Sequence, residues 1–196
     1  MWRGMNVSFR DMLFLLVFAY LIISAVALAH VAKKEQKSSQ QEPTAPGHVV
    51  VELTWARGVD ADVDLWVQGP GDVPVGYSNK SGMIFNLLRD DMGPSGDPNS
   101  MNYEVAYGRG HWAGEYVVNA MLYRSRDRKL PIAATAKVAL RGEGGVQQVL
   151  QSNIELAFEG QETTIFRFKL DAQGNFLPDS LSRIHKPLRA ARSKSP

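Results

Sequence analysis

A mainly β protein, an antiparallel β-sandwich preceded by one N-terminal transmembrane helix and a linker, is the architecture this sequence predicts. Three observations carry the prediction. Residues 12–29, MLFLLVFAYLIISAVALA, form an uncharged apolar run. From His48 onward, short segments rich in branched or alternating apolar residues are divided by turns containing Gly and Pro. Beyond residue 32 no segment holds a sustained helical period, and strands without intervening helices pair antiparallel and stack as two sheets.

Eighteen helical residues rise about 27 Å, close to the hydrocarbon thickness of a bilayer. Val31 and Ala32 extend the run, so the span is read as 12–32 and residues 1–11 as a short cytoplasmic tail. Ala27-Leu28-Ala29 also has the form of a signal-peptide cleavage site, with Arg3 and Arg10 as a positive leader. The apolar run continues through that site, which favours a retained anchor. Orientation is not fixed by charge, because Arg3 and Arg10 flank one end and Lys33, Lys34 and Lys37 the other. Both readings place the later domain in the periplasm or exterior, and the anchor reading puts the chain in the inner (cytoplasmic) membrane. Asp11 stands at the edge of the run. An ionisable group there costs several kcal/mol unless it serves or pairs with something; alternatively it is a first-turn acid that starts the helix.

Residues 33–47, KKEQKSSQQEPTAPG, are polar and contain two prolines, the composition of a flexible linker. The segment Val49–Trp55 is rich in branched residues, and 62–68 alternates, with Val63, Leu65 and Val67 on one face. Further strands are expected at 83–88, 102–107, 114–124, 131–141, 146–158 and 162–170, giving a β-sandwich domain over 48–178. Residues 179–196 read as a mobile basic tail, because Arg183, Lys186, Arg189, Arg192 and Lys194 follow one another there without an acid after Asp179. The split of charge is pronounced: residues 47–180 hold 17 Asp and Glu against 12 Lys and Arg. The sequence has no cysteine, which excludes disulfides, zinc–thiolate sites and thiol catalysis.

Asp60, Asp62 and Asp64 alternate along the second segment, so their side chains should share one face about 7 Å apart. Like charges so placed repel unless solvated or neutralised. Asp90 and Asp91 could close a site of hard oxygen ligands, for which calcium is the fitting cation. The alternative is that these acids line the solvated mouth of a sheet. Trp66, Arg109, His111 and Trp112 are candidate ligand contacts, with a core role the competing reading for the tryptophans. No enzyme is expected: the four histidines are scattered, and no G-x-S-x-G elbow, P-loop or H-E-x-x-H occurs. Nucleic acid is not an expected partner.

The stretch Ser8-Phe9-Arg10-Asp11-Met12-Leu13-Phe14-Leu15-Leu16-Val17-Phe18 resembles the start of the single helix of MotB, ExbD and TolR, the dimeric subunits of ion-driven membrane motors. The resemblance covers about 25 residues and implies that Asp11 is the ion carrier, with a homodimer seated in a multi-helix membrane partner of MotA or ExbB type. Downstream, neither the peptidoglycan-binding domain of MotB nor the α/β domain of ExbD is apparent. Instead, Ala61-Asp62-Val63-Asp64-Leu65-Trp66-Val67-Gln68-Gly69-Pro70-Gly71, Leu88-Arg89-Asp90-Asp91-Met92-Gly93 and Gly114-Glu115-Tyr116-Val117-Val118-Asn119 resemble, in order, motifs of an uncharacterised family of secreted β-sandwich domains. That likeness implies fold rather than activity. The leading expectation is a membrane-anchored subunit of an ion-driven complex with a periplasmic sandwich. The alternative is a secreted or tethered sandwich that binds a cell-wall, glycan or protein ligand.

Overall fold

The structure, a computed structural model, describes Phe9 and residues 11–24, 47–91, 101–142 and 144–189. The chain divides into two units, Met1–Ala45 and Pro46–Pro196.

In the first unit, residues 11–24 are helical. Their large apolar side chains, from Met12 to Ile23, are 50–70% exposed and cover every face of the helix. At about 1.5 Å per residue the described helix rises about 21 Å. No helix among the described residues is long and apolar enough to cross a membrane. The rest of the expected span, 25–32, lies outside the described residues, as do most of the expected tail and all of the linker before Gly47.

The second unit is built from nine antiparallel strands among the described residues: β1 Val49–Trp55, β2 Ala61–Gln68, β3 Phe85–Arg89, β4 Tyr103–Gly108, β5 Gly114–Ser125, β6 Ile132–Gly142, β7 Gly145–Leu156, β8 Glu162–Leu170 and β9 Phe176–Ser182. One sheet has the order β3-β4-β1-β6-β7, the other β2-β5-β8-β9. Period-two alternation builds the core between them. Val49, Val51, Leu53 and Trp55 of β1 face Ala61, Val63, Leu65 and Val67 of β2 and Tyr116, Val118, Ala120 and Leu122 of β5 in one apolar cluster. Tyr116 stacks on Phe168 at 5.3 Å and meets Phe85 edge-on at 6.0 Å, filling one end. In the loop after β2, the Asp72 carboxylate accepts the N–H groups of Val73, Met83 and Ile84 at 2.7, 3.0 and 2.6 Å and so fixes the approach to β3.

Strand β4 is inverted relative to its apolar pattern. Tyr103, Val105 and Tyr107 are its larger apolar side chains, yet the register pairs Leu53 with Glu104 and Val51 with Ala106, so Glu104, Ala106 and Gly108 face inward. Space decides this. A Cβ at Gly108 would stand 3.1 Å from both the Phe85 ring and Val49, so only small side chains fit beside Phe85. Glu104 is the consequence: an acid on an inner face, 0% exposed.

The expected mobile tail at 179–196 is corrected over 179–189. Strand β9 pairs with β8 in the registers Lys169↔Leu177 and Arg167↔Ser182, and its Pro178 is tolerable because β9 is an edge strand. Residues 183–189 then strap across the outer face of the β2-β5-β8-β9 sheet. Lys186 Nζ bonds Glu115 Oε2 at 3.0 Å, the Lys186 carbonyl accepts Asn119 Nδ2 at 2.9 Å, and the Leu188 N–H donates to Glu162 Oε1 at 2.8 Å. Leu188 is 1% exposed, packed with Trp66, Val117 and Met121. Lys186, one of the basic residues that read as a solvated tail, therefore has an acidic partner on the sheet. The sandwich extends past residue 178; residues 190–196 lie outside the described residues.

If the strap is part of the fold, Leu188→Ala should lower unfolding stability by about 2–4 kcal/mol, the cost of emptying a buried leucine site. Urea denaturation followed by tryptophan fluorescence checks this; an unchanged midpoint would return residues 183–189 to a solvated tail.

Candidate functional site

Two groupings of polar side chains stand out on the sandwich, toward opposite ends of β4. Five residues of strand separate Glu104 from Arg109, about 17 Å.

The first is acidic and sits at the seam where the β2 edge meets β4. β2 pairs only with β5 along most of its length, so its other edge presents free N–H groups. Glu104 answers one of them: its Oε2 accepts the Leu65 N–H at 2.6 Å, while Oε1 accepts the Asp91 N–H at 3.1 Å. Asp64, on the outer face of β2, and Asp90, just past β3, bring carboxylate oxygens within 4.8 Å of one another and of Glu104. Asp64 is 3% exposed, and its Oδ2 is buried without a hydrogen-bond partner among the described residues.

Of the five acids expected to form a cation site, the structure brings only Asp64 and Asp90 into this cluster. Asp60 precedes β2, so strand alternation does not reach it, and it pairs instead with Arg126 at 3.0 Å. Asp62 is buried on the same face as Asp64 but is not one of the three. Asp91 turns toward Arg89 at 3.2 Å and accepts the Tyr103 N–H. Arg89 also holds the Met101 carbonyl at 3.0 Å and lies over the Tyr103 ring. The missing third member is Glu104. Only its place on an inward face marks it, and the apolar pattern of β4 points the other way.

Burial dominates the electrostatics. It pushes Glu104 well above the usual carboxylate range; the Leu65 N–H opposes this, while Asp64 and Asp90 add to it. Asp64 is pushed from 3.8 to about 7, first by burial and then by Asp62 and Asp90, with Arg189 opposing. Asp62 is raised by burial and by Asp90, against Arg126 and Arg124. Asp64 and Glu104, both buried and close to each other, are driven toward sharing a proton or a cation.

The second grouping is basic and aromatic, at the end where β1 begins and β4 and β6 finish. Gly47, His48, Arg109, Gly110 and Arg141 line a shallow depression of about 330 Å³. His48 Nδ1 accepts the Gly110 N–H at 3.0 Å, and its ring meets that of His111 at 4.2 Å. The His111 ring presses on Gly174, whose φ of +83° and lack of Cβ make room for it. Trp112 is 45% exposed, with its indole N–H donating to the Arg109 carbonyl at 2.8 Å. The core residue Tyr116 anchors this turn through its hydroxyl, which donates to the Trp112 carbonyl at 2.9 Å. Of the expected ligand contacts, Arg109, His111 and Trp112 are gathered here. Trp66 is not: it is 2% exposed, beneath Tyr77 and Leu188.

Asp11 is helical, as is Phe9 before it, and is solvent-exposed. Comparison with protein-family models, with curated proteins and with solved structures gives no match.

The shift on Asp64 has a definite sign. Between about pH 4 and pH 7 the folded protein holds a proton that the unfolded chain has released, so this contribution is complete below pH 4 and lost as pH rises through 7. Asp64→Asn is neutral throughout. In chelator-treated buffer its stability relative to wild type should therefore rise between pH 5 and pH 8, read as the difference in urea midpoints. A constant difference across that range would contradict the buried, proton-holding state of Asp64.

Proposed function

We propose that the chain is a membrane-tethered binding module, in which the apolar helix holds the protein and the basic, aromatic end of the sandwich takes an anionic cell-wall or glycan polymer outside the cytoplasm. The observation that carries this reading is the cluster of Arg109, Arg141, His48 and His111 around one depression, with the exposed Trp112 beside it. Guanidinium groups match carboxylate and phosphate geometry in bidentate fashion, and an exposed indole offers a flat apolar face on which a sugar ring can rest. The turn is pinned from the core by Tyr116 and from the side by Arg109 Nη2, which donates to Asn86 Oδ1 at 2.7 Å. Preorganised contacts of this kind reduce the ordering cost of binding. The tether is supported by the described helix, whose apolar side chains cover all its faces, a pattern suited to lipid or to partner helices.

A second reading, the subunit of an ion-driven membrane complex, is favoured by Asp11 as the one acid of that apolar helix. There two copies would seat their helices in a multi-helix partner and Asp11 would carry the ion.

Co-sedimentation of the full chain in detergent with isolated peptidoglycan sacculi, an insoluble polymer bearing carboxylates, tests the first reading. Arg109→Ala and Trp112→Ala should each weaken binding tenfold or more, about 1.4 kcal/mol, and added salt should weaken the wild type. Asp11→Asn should leave this binding unchanged. Wild-type binding by both sandwich variants would remove the basic end as the ligand surface. Loss of ion flux in Asp11→Asn, with insertion and assembly with the multi-helix partner intact, would establish the second reading instead.

A further inference from the structure

We propose that Asp64, Asp90 and Glu104 form a divalent-cation site, best suited to calcium, that joins the edge of β2 to β4 across the two sheets. This inference is independent of the tether and of the basic end.

Geometry is the first support. Three elements, β2, the turn after β3, and β4, each send one carboxylate oxygen to within 4.8 Å of the others. Oxygens bound to one calcium at about 2.4 Å can stand up to about 4.8 Å apart, when they lie on opposite sides of the ion.

The second support is the state of Asp64. Four other acids around the seam have a donor. Glu104 takes two backbone N–H groups, Asp90 has Lys80 at 2.8 Å, Asp91 has Arg89 and Tyr103, and Asp60 has Arg126. Asp64 Oδ2, in contrast, is both buried and without a partner among the described residues. An unsatisfied buried polar group costs folding free energy and calls for an explanation. The nearby cations leave that oxygen without a hydrogen bond: Arg189 acts on Asp64 only through space, Arg89 bonds Asp91 and the Met101 and Tyr103 carbonyls, and Lys80 reaches Asp90 from the solvent side, 58% exposed.

Donor chemistry selects the ion. The site offers only carboxylate oxygens, hard ligands that suit calcium, magnesium or manganese rather than zinc or copper. Calcium tolerates irregular coordination completed by water, whereas magnesium demands a near-ideal octahedron. Glu104 retains acceptor capacity for this task, since an ionised carboxylate has about four lone-pair sites and its two N–H bonds occupy two.

Terbium(III), a luminescent stand-in for calcium, gives a binding readout separate from stability. Trp66 lies two residues from Asp64 on the same face of β2, about 7 Å along the strand, close enough to sensitise the ion. Full chain in detergent, stripped with chelator, should show saturable terbium luminescence under indole excitation. Millimolar calcium should displace the terbium, and calcium alone should raise the melting temperature on the order of 5 °C. Asp64→Asn should fold and lose both responses at least tenfold; should it fail to fold, Asp90→Asn reads the same loss. Three results would overturn the site: no terbium signal, responses retained in a folded variant, or a melting temperature that follows pH but ignores calcium, which would mean that the acids share a proton only.

Discussion

The Glu104 carboxylate is the interaction on which the arrangement of this sandwich turns. A β-sandwich has open edges where backbone N–H groups face no neighbouring strand, and such groups must be covered or solvated. Here an acid reaches across from the inner face of one sheet and accepts the Leu65 N–H at the edge of the other, while its second oxygen holds the Asp91 N–H. One side chain thus ties β4 to β2 and to the turn after β3. The same act places a carboxylate in a dry environment, and that burial raises its pKa, as Asp64's own burial raises the pKa of Asp64 beside it.

Much of the fold was legible because alternation and turn chemistry are local. The segments Val49–Trp55 and Ala61–Gln68 announced themselves through branched residues and period-two spacing, and Val63, Leu65 and Val67 do face the core. Eight strands fall within a few residues of their expected limits. The ninth escaped notice because Phe176–Ser182 contains a proline and few branched residues. It is stabilised by pairing with β8 and by the strap that follows, neither of which its own sequence reveals. β4 shows the reverse failure: its pattern is clear but its orientation is set by the bulk of Phe85 beside Gly108, a tertiary constraint.

The candidate sites divide in the same way. Arg109, His111 and Trp112 are neighbours in sequence on one turn, so a local reading could gather them; His48 and Arg141 join only through the pairing of β1 with β6. The acidic cluster mixes both kinds of information. Spacing marked Asp64, and the Asp90-Asp91 turn marked Asp90. Glu104 comes from another sheet, while Asp60 and Asp91 are drawn off by Arg126 and Arg89. An acid's role here depends on which cation or N–H group the fold brings to it, and that is not written in strand periodicity.

Amide hydrogen exchange resolved at single residues tests the Glu104 tie most directly. The Leu65 amide lies on a strand edge yet donates to a buried carboxylate, so it should exchange as slowly as amides in the centre of β5, and the Asp91 amide should be protected with it. In Glu104→Ala both should become fast while Ala120, in the centre of β5, stays slow. Fast exchange at Leu65 in the wild-type protein, or unchanged exchange in the variant, would contradict the account.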